Sequence, residues 1–137
     1  MQPAHPFYTA VVAPPRLFRV IVPVTDIDAA AGWYGAALRM AGSRVPPNRH
    51  YFDCGGTILA LRDITLDPSV AVFRPNPDHV YLSVDDVEAA HERMRLAGCP
   101  ELSAIEVQPW GERSFYGRDP DGNPLCVVQA GTEFTAH

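Results

Sequence analysis

An α+β architecture follows from three features of the sequence: two tandem βαβββ modules forming a curved mixed sheet around a shared cavity, with the helices outside. The first feature is an internal repeat. Arg19-Val20-Ile21-Val22-Pro23-Val24-Thr25-Asp26-Ile27-Asp28-Ala29-Ala30 matches His79-Val80-Tyr81-Leu82-Ser83-Val84-Asp85-Asp86-Val87-Glu88-Ala89-Ala90 without a gap, at an offset of 60 residues. The second is that later segments also correspond. Leu38-Arg39-Met40-Ala41-Gly42 aligns with Met94-Arg95-Leu96-Ala97-Gly98 at an offset of 56, and residues 53–61 align with 119–127 at an offset of 66. The third is a change of period, from alternating apolar residues to a helical stripe, at the same point in both copies. An internal repeat outranks local signals in reading a fold.

The bulk numbers bound this picture. A chain of 137 residues with 47% hydrophobic and 20% charged residues has the size and composition of one globular domain. No apolar run reaches the roughly 20 residues that span a bilayer. The N-terminus lacks the basic and apolar regions of a secretory signal. Cys54, Cys99 and Cys126 have no paired spacing, so they read as reduced thiols in the cytoplasm. A net charge of −5 argues against a nucleic-acid partner, which wants clustered positive charge. All eleven basic residues are arginine, which excludes a Schiff-base or P-loop lysine. The 14 prolines favour short elements joined by defined turns.

Residues 1–16 read as a proline-bracketed N-terminal arm, whose apolar run over 7–13 suits an edge strand. The first module takes residues 17–63. A strand over 17–24 puts Val20, Val22 and Val24 on one face and Arg19, Ile21 and Pro23 on the other. Thr25 or Asp26 caps a helix running to about Met40, with Gly42 as its stop. Strands follow near 43–45, 49–54 and 57–62, the last two joined by a Gly55-Gly56 turn. Residues 64–78, rich in proline and aspartate, form a linker. The second module takes residues 79–130: a strand over 79–84, a helix over 86–97 stopped by Gly98, then strands near 102–108, 113–117 and 125–129. The turn Asp119-Pro120-Asp121-Gly122-Asn123-Pro124 precedes the last strand, and 131–137 is a C-terminal tail. The residues expected to face the cavity are Arg19, Ile21, Ile58, Ala60, Arg62, His79, Tyr81, Ser83, Cys126 and Val128, while the complementary set is apolar and belongs under the helices.

Over residues 17–130 the chain resembles the vicinal oxygen chelate superfamily, which includes glyoxalase I, extradiol dioxygenases and bleomycin-resistance proteins. The resemblance rests on Trp110-Gly111-Glu112-Arg113 running into Asp119-Pro120-Asp121-Gly122-Asn123, and on the Trp33-Tyr34 pair in the first helix. It implies the paired βαβββ fold, frequent homodimers, and four functional positions that hold His, Gln or Glu in metal-dependent members. Here those positions fall on Arg19, Ala60, His79 and Cys126. Ala60 has no donor atom, and Arg19 stays protonated where a cation would sit. A catalytic zinc wants about three protein ligands, and only His79 and Cys126 remain.

The expectation is therefore a protein similar to the bleomycin-resistance members. It would bind a small, partly aromatic molecule with no metal cofactor and no assigned catalytic residue. Arg19 and His79 would be its polar anchors, and Tyr81, Trp110, Arg113, Phe115 and Cys126 further ligand contacts. As a small buried hydrophobe Cys126 suits the wall better than a nucleophilic role. Arg19 needs an anion, either on the ligand or an internal acid such as Asp53 or Glu112. The alternative is a metal-dependent lyase, isomerase or dioxygenase with an atypical site, a divalent metal held by His79 and Cys126 with help from His50 or Glu112. A metal-free enzyme would draw a general base from Glu106 or Glu112. A third possibility is a regulatory module whose pocket is packed shut.

Overall fold

The computed structural model describes residues 12–136. The expected edge strand over 7–13 lies almost wholly outside the described residues, and 12–18 carry no regular structure. The elements of the first module are β1 (Arg19–Val24), α1 (Ile27–Leu38), β2 (Ser43–Val45), β3 (Arg49–Cys54) and β4 (Thr57–Asp63). Those of the second are β5 (Val80–Val84), α2 (Val87–Leu96), β6 (Glu106–Val107), β7 (Arg113–Arg118) and β8 (Pro124–Gln129). A 3₁₀ turn over Ile64–Leu66 opens the linker. Each module folds into one four-stranded mixed sheet, in the orders β1-β4-β3-β2 and β5-β8-β7-β6. β1 runs parallel to β4 and β5 parallel to β8, while the remaining pairs are antiparallel.

The helices start as their capping residues dictate. The Asp26 carboxylate accepts from the Asp28 and Ala29 amides, and Asp86 does the same for Ala89. Thr25 takes no part in the cap; its hydroxyl donates to Asp121 across the molecule. The first helix stops earlier than expected, because Arg39 adopts a left-handed conformation at φ 57° and closes the last turn onto the Gly35 carbonyl. Gly42 therefore serves the turn after the helix. Its φ is 64°, and a Cβ there would lie 2.7–2.8 Å from His50, Phe52 and the Tyr51 carbonyl.

The expected strand over 102–108 shrinks to two residues. Ser103 takes over the upstream pairing through its amide to the Tyr116 carbonyl and its hydroxyl from the Tyr116 amide. A side chain thereby replaces a ladder rung.

Both helices pack on the same apolar core. Val22, Val24, Leu59, Leu61, Phe115, Leu125 and Val127 meet Tyr34, Ala37, Val87, Ala90 and Met94 in one continuous cluster. The modules interlock through polar contacts as well. The Tyr34 hydroxyl donates to Asp119 at 2.7 Å, the Asn123 amide to the Pro23 carbonyl at 2.7 Å, and the Trp33 indole to the Ala97 carbonyl at 3.0 Å. The helices thus cover one side of the sheets, and the other side of each stays open.

Candidate functional site

Register decides what the open faces carry. In the second module Tyr81 lies beside Cys126, Cys126 beside Tyr116, and Val128 beside both Ser83 and Ser114. These six residues share the face away from α2. His79 immediately precedes β5, with its ring 5.1 Å from that of Tyr116, edge-on, and 6.2 Å from that of Tyr81. Cys126 lies beneath this group with no solvent exposure. Burial pushes its thiol above the usual range, against hydrogen bonds from Ser114 and Tyr116. A thiol held protonated in this way is a poor nucleophile.

Beside this group runs a groove of about 670 Å³, walled by Tyr81, Trp110 and Phe134, with Ser83, Glu112 and Glu133 supplying polar atoms. All three aromatic residues are about half exposed, at 59%, 48% and 60%. The C-terminal tail forms one wall and is fixed there. Glu133 accepts the Ser83 hydroxyl at 2.7 Å and the Gly131 amide at 2.6 Å. Glu112 accepts the Trp110 indole at 2.9 Å and the Phe134 amide at 2.9 Å. Among the described residues neither carboxylate has a cationic partner.

The open face of the first module has the opposite charge. The Arg19 guanidinium lies 4.8 Å from the Phe18 ring centre and 5.2 Å from that of Tyr51, within cation–π range. Arg49 donates to the Tyr51 hydroxyl. Arg62 is neutralised by Asp67, but among the described residues no acid pairs with Arg19 or Arg49. Neither internal acid expected for Arg19 reaches it: Asp53 accepts the Gly56 amide, and Glu112 is engaged in the groove. Ala60 is fully buried beside Tyr51.

The structure therefore brings His79, Tyr81 and Cys126 together and puts Trp110 in the adjoining groove. Arg19 sits on the other module, and among the described residues no hydrogen bond or ring contact joins it to His79. Two of the expected contact residues lie on the other side of β7, away from this group. Phe115 has no exposure and stacks edge-on against His91 at 4.9 Å, in the core under α2. Arg113, on the same side of β7, pairs with Glu88 at the start of α2. Pairing with β8 sets the parity of β7, and that parity turns Ser114 and Tyr116 outward instead. Glu133 and Phe134 carry no signal in the sequence, since the contact with Ser83 spans 50 residues and leaves no local pattern.

A metal does not fit the residues present. Among the described residues no three His, Cys, Asp or Glu side chains converge on a common point. Of the four corresponding positions, one is alanine and one is an arginine, neither with a donor atom for a cation, which leaves His79 and the buried Cys126.

A family model described as the glyoxalase/bleomycin resistance protein/dioxygenase superfamily matches residues 16–127. Comparison with curated protein sequences gives no match. Among solved structures, a glyoxalase-related enzyme from Fulvimarina pelagi superposes with a TM-score of 0.70 at 24% identity, covering 83% of this chain and 87% of that one. A lactoylglutathione lyase from Agrobacterium tumefaciens gives 0.64 at 23% identity, over 85% and 95% of the two chains. An integron cassette protein from the mobile metagenome of V. cholerae gives 0.67 at 21% identity, over 88% and 98%. At these identities the likeness is one of fold.

Proposed function

The chain belongs to the glyoxalase/bleomycin resistance protein/dioxygenase superfamily, and from that premise we propose that it is a cytoplasmic homodimer that binds a small, partly aromatic molecule without a metal. The observation that carries this reading is the pair Arg19 and Ala60 at two of the four positions where a metal-dependent relative needs donors. The groove beside His79 supports it. Tyr81, Trp110 and Phe134 offer exposed ring faces for a planar group. Glu112 and Glu133 suit a cationic substituent of the ligand, and Arg19 and Arg49 an anionic one.

The homodimer follows from the same charges. Among the described residues, one open face carries two arginines without an acidic partner and the other two carboxylates without a cationic one. A second copy related by a two-fold axis places each against its complement. His79 and Arg19, apart within one chain, then line one composite site. Binding energy comes from stacking and charge-assisted hydrogen bonds, and no bond in the ligand is broken.

The test is elemental analysis of protein purified without chelator, followed by ligand titration read by quenching of Trp110 emission, with Trp110→Phe as the control. We expect substoichiometric metal. Arg19→Ala should weaken binding of an anionic aromatic ligand by about 10-fold to 100-fold, the usual worth of a hydrogen bond to a charged group. One transition-metal ion per chain, with His79→Ala abolishing its retention, would overturn the reading.

A further inference from the structure

The groove walled by Tyr81, Trp110 and Phe134 does not stop at β5. Tyr81, Leu82 and Ser83 also line a second space, a cleft of about 590 Å³ between β5 and the turn that joins β3 to β4. Tyr81 and Ser83 face the groove, and Leu82 and Val84 face the cleft. Val20, Leu38, Met40, Leu59, Leu82 and Val84 make the cleft apolar, while Asp53 and Ser83 among its polar members are exposed. Its volume falls within the range of small-molecule sites.

The repeat shows that the fold does not require this space. At the equivalent place beside β1, the Asn123 and Asn76 side-chain amides donate to the Pro23 and Ile21 carbonyls, and Val22 and Val24 have no exposure. Beside β5 the residue aligned with Asn123 is Thr57, whose hydroxyl turns to the Leu17 carbonyl instead. Gly55 and Gly56 precede it and bring no side chain. Leu82 and Val84, the counterparts of Val22 and Val24, are left half-buried. Of two equivalent strand edges, one is filled by the chain and one keeps apolar surface for a ligand to cover.

We propose that groove and cleft together bind one molecule, an aromatic cation that carries an aliphatic tail. The cation lies in the groove, and the tail crosses β5 into the cleft. This rests on the groove being the ligand site and adds the charge of the head and the place of the tail. The head follows from the groove. Its three rings are half-exposed, and among the described residues no ring contact joins one to another, so they stand around open space. Glu112 and Glu133 have no cationic partner among the described residues. A positively charged ring satisfies both, by stacking and by charge. The tail follows from the cleft, where each methylene that enters leaves water for apolar side chains. The crossing is short, because the same three residues of β5 border both spaces.

Calorimetric titration of the full chain with N-alkylpyridinium salts, from methyl to octyl and below their micelle concentrations, tests this. Affinity should rise about threefold to fourfold per methylene until the tail fills the cleft. Cys54 lines the cleft, so Cys54→Phe should flatten this rise and leave the affinity for N-methylpyridinium unchanged. Glu133→Gln should weaken every member of the series by a few-fold and keep the rise. Affinity independent of tail length in the unmodified chain would overturn the proposal, and this result needs no variant to fold. A rise that Cys54→Phe leaves intact would overturn it by placing the tail elsewhere. A rise seen only on dilution would overturn it by assigning the cleft to a second copy. Binding of no member would overturn it as well. In that case, quenching of Trp110 by an anionic aromatic ligand would leave the groove as the ligand site, and its absence would remove that reading too.

Discussion

Asp119, in the turn over residues 119–124, accepts four hydrogen bonds: from the Tyr34 hydroxyl, the Asp121 amide, and both the main-chain and side-chain nitrogens of Asn123. At the equivalent place in the first module, Asp53 is exposed and accepts from the Gly56 amide. Asn123 goes on to clasp Pro23, while its counterpart Thr57 holds the incoming chain at Leu17. Tyr34 reaches across to Asp119, whereas the buried residues of α2, Val87, Ala90 and Met94, offer no hydroxyl for such a contact. A repeat that conserves strands and helices has thus assigned its two hairpin turns to different work. The second turn locks the modules together. The first anchors the chain that enters β1.

Breaking the lock should give the largest effect. Asp119→Ala strands the Tyr34 hydroxyl and the turn amides in the interior, where each unpaired polar group costs about 1–3 kcal/mol. We expect a loss of about 3 kcal/mol or more in chemical denaturation followed by circular dichroism. Asp53→Ala removes one exposed hydrogen bond and should cost about 1 kcal/mol or less. Equal losses would mean that the two turns are equivalent after all.

The glycines that follow the helices sharpen the comparison on a smaller scale. Gly42 and Gly98 both have positive φ, 64° and 74°, so any larger residue is strained there by about 1–2 kcal/mol. A Cβ at Gly98 would meet nothing within 4 Å, whereas one at Gly42 would press into His50, Phe52 and the Tyr51 carbonyl. Gly98→Ala should therefore cost about 1 kcal/mol and Gly42→Ala about 3 kcal/mol, because overpacking adds to the strain. The same denaturation assay ranks them.

Much of this plan can be read from residues alone, and the reason is locality. Alternation in 19–24 and 79–84, capping by Asp26 and Asp86, and the glycine turns are each written within a few positions. What the residues leave open depends on partners far along the chain. Phe115 and Tyr116 are adjacent aromatics, so alternation cannot say which faces the core; a shift of one residue in register exchanges the faces. Pairing with β8 decides it, and Arg113 goes with Phe115. The groove is hidden for the same reason. Trp110 and Glu112 stand out in the sequence, but the tail residues Glu133 and Phe134 join them only through contacts across the fold.

The smallest effect concerns pH and tests the lock without dismantling it. Burial holds the Tyr34 phenol well above its ordinary value of 10.0, and the neighbouring Asp119 carboxylate raises it further. The folded chain therefore keeps this proton at a pH where the unfolded chain releases it. Where the folded state binds more protons, stability falls as pH rises. The contribution is complete below about pH 10 and declines above it. The second helix holds no tyrosine and so has no equivalent phenol. Tyr34→Phe should lower stability at pH 7 by about 1 kcal/mol, the worth of one hydrogen bond, and leave the Asp119 acceptors otherwise paired. It should also flatten the fall in unfolding free energy between about pH 10 and pH 11. An unchanged alkaline slope in the variant would mean that the Tyr34–Asp119 contact opens before the phenol ionises, and that the modules are joined chiefly by their shared apolar core.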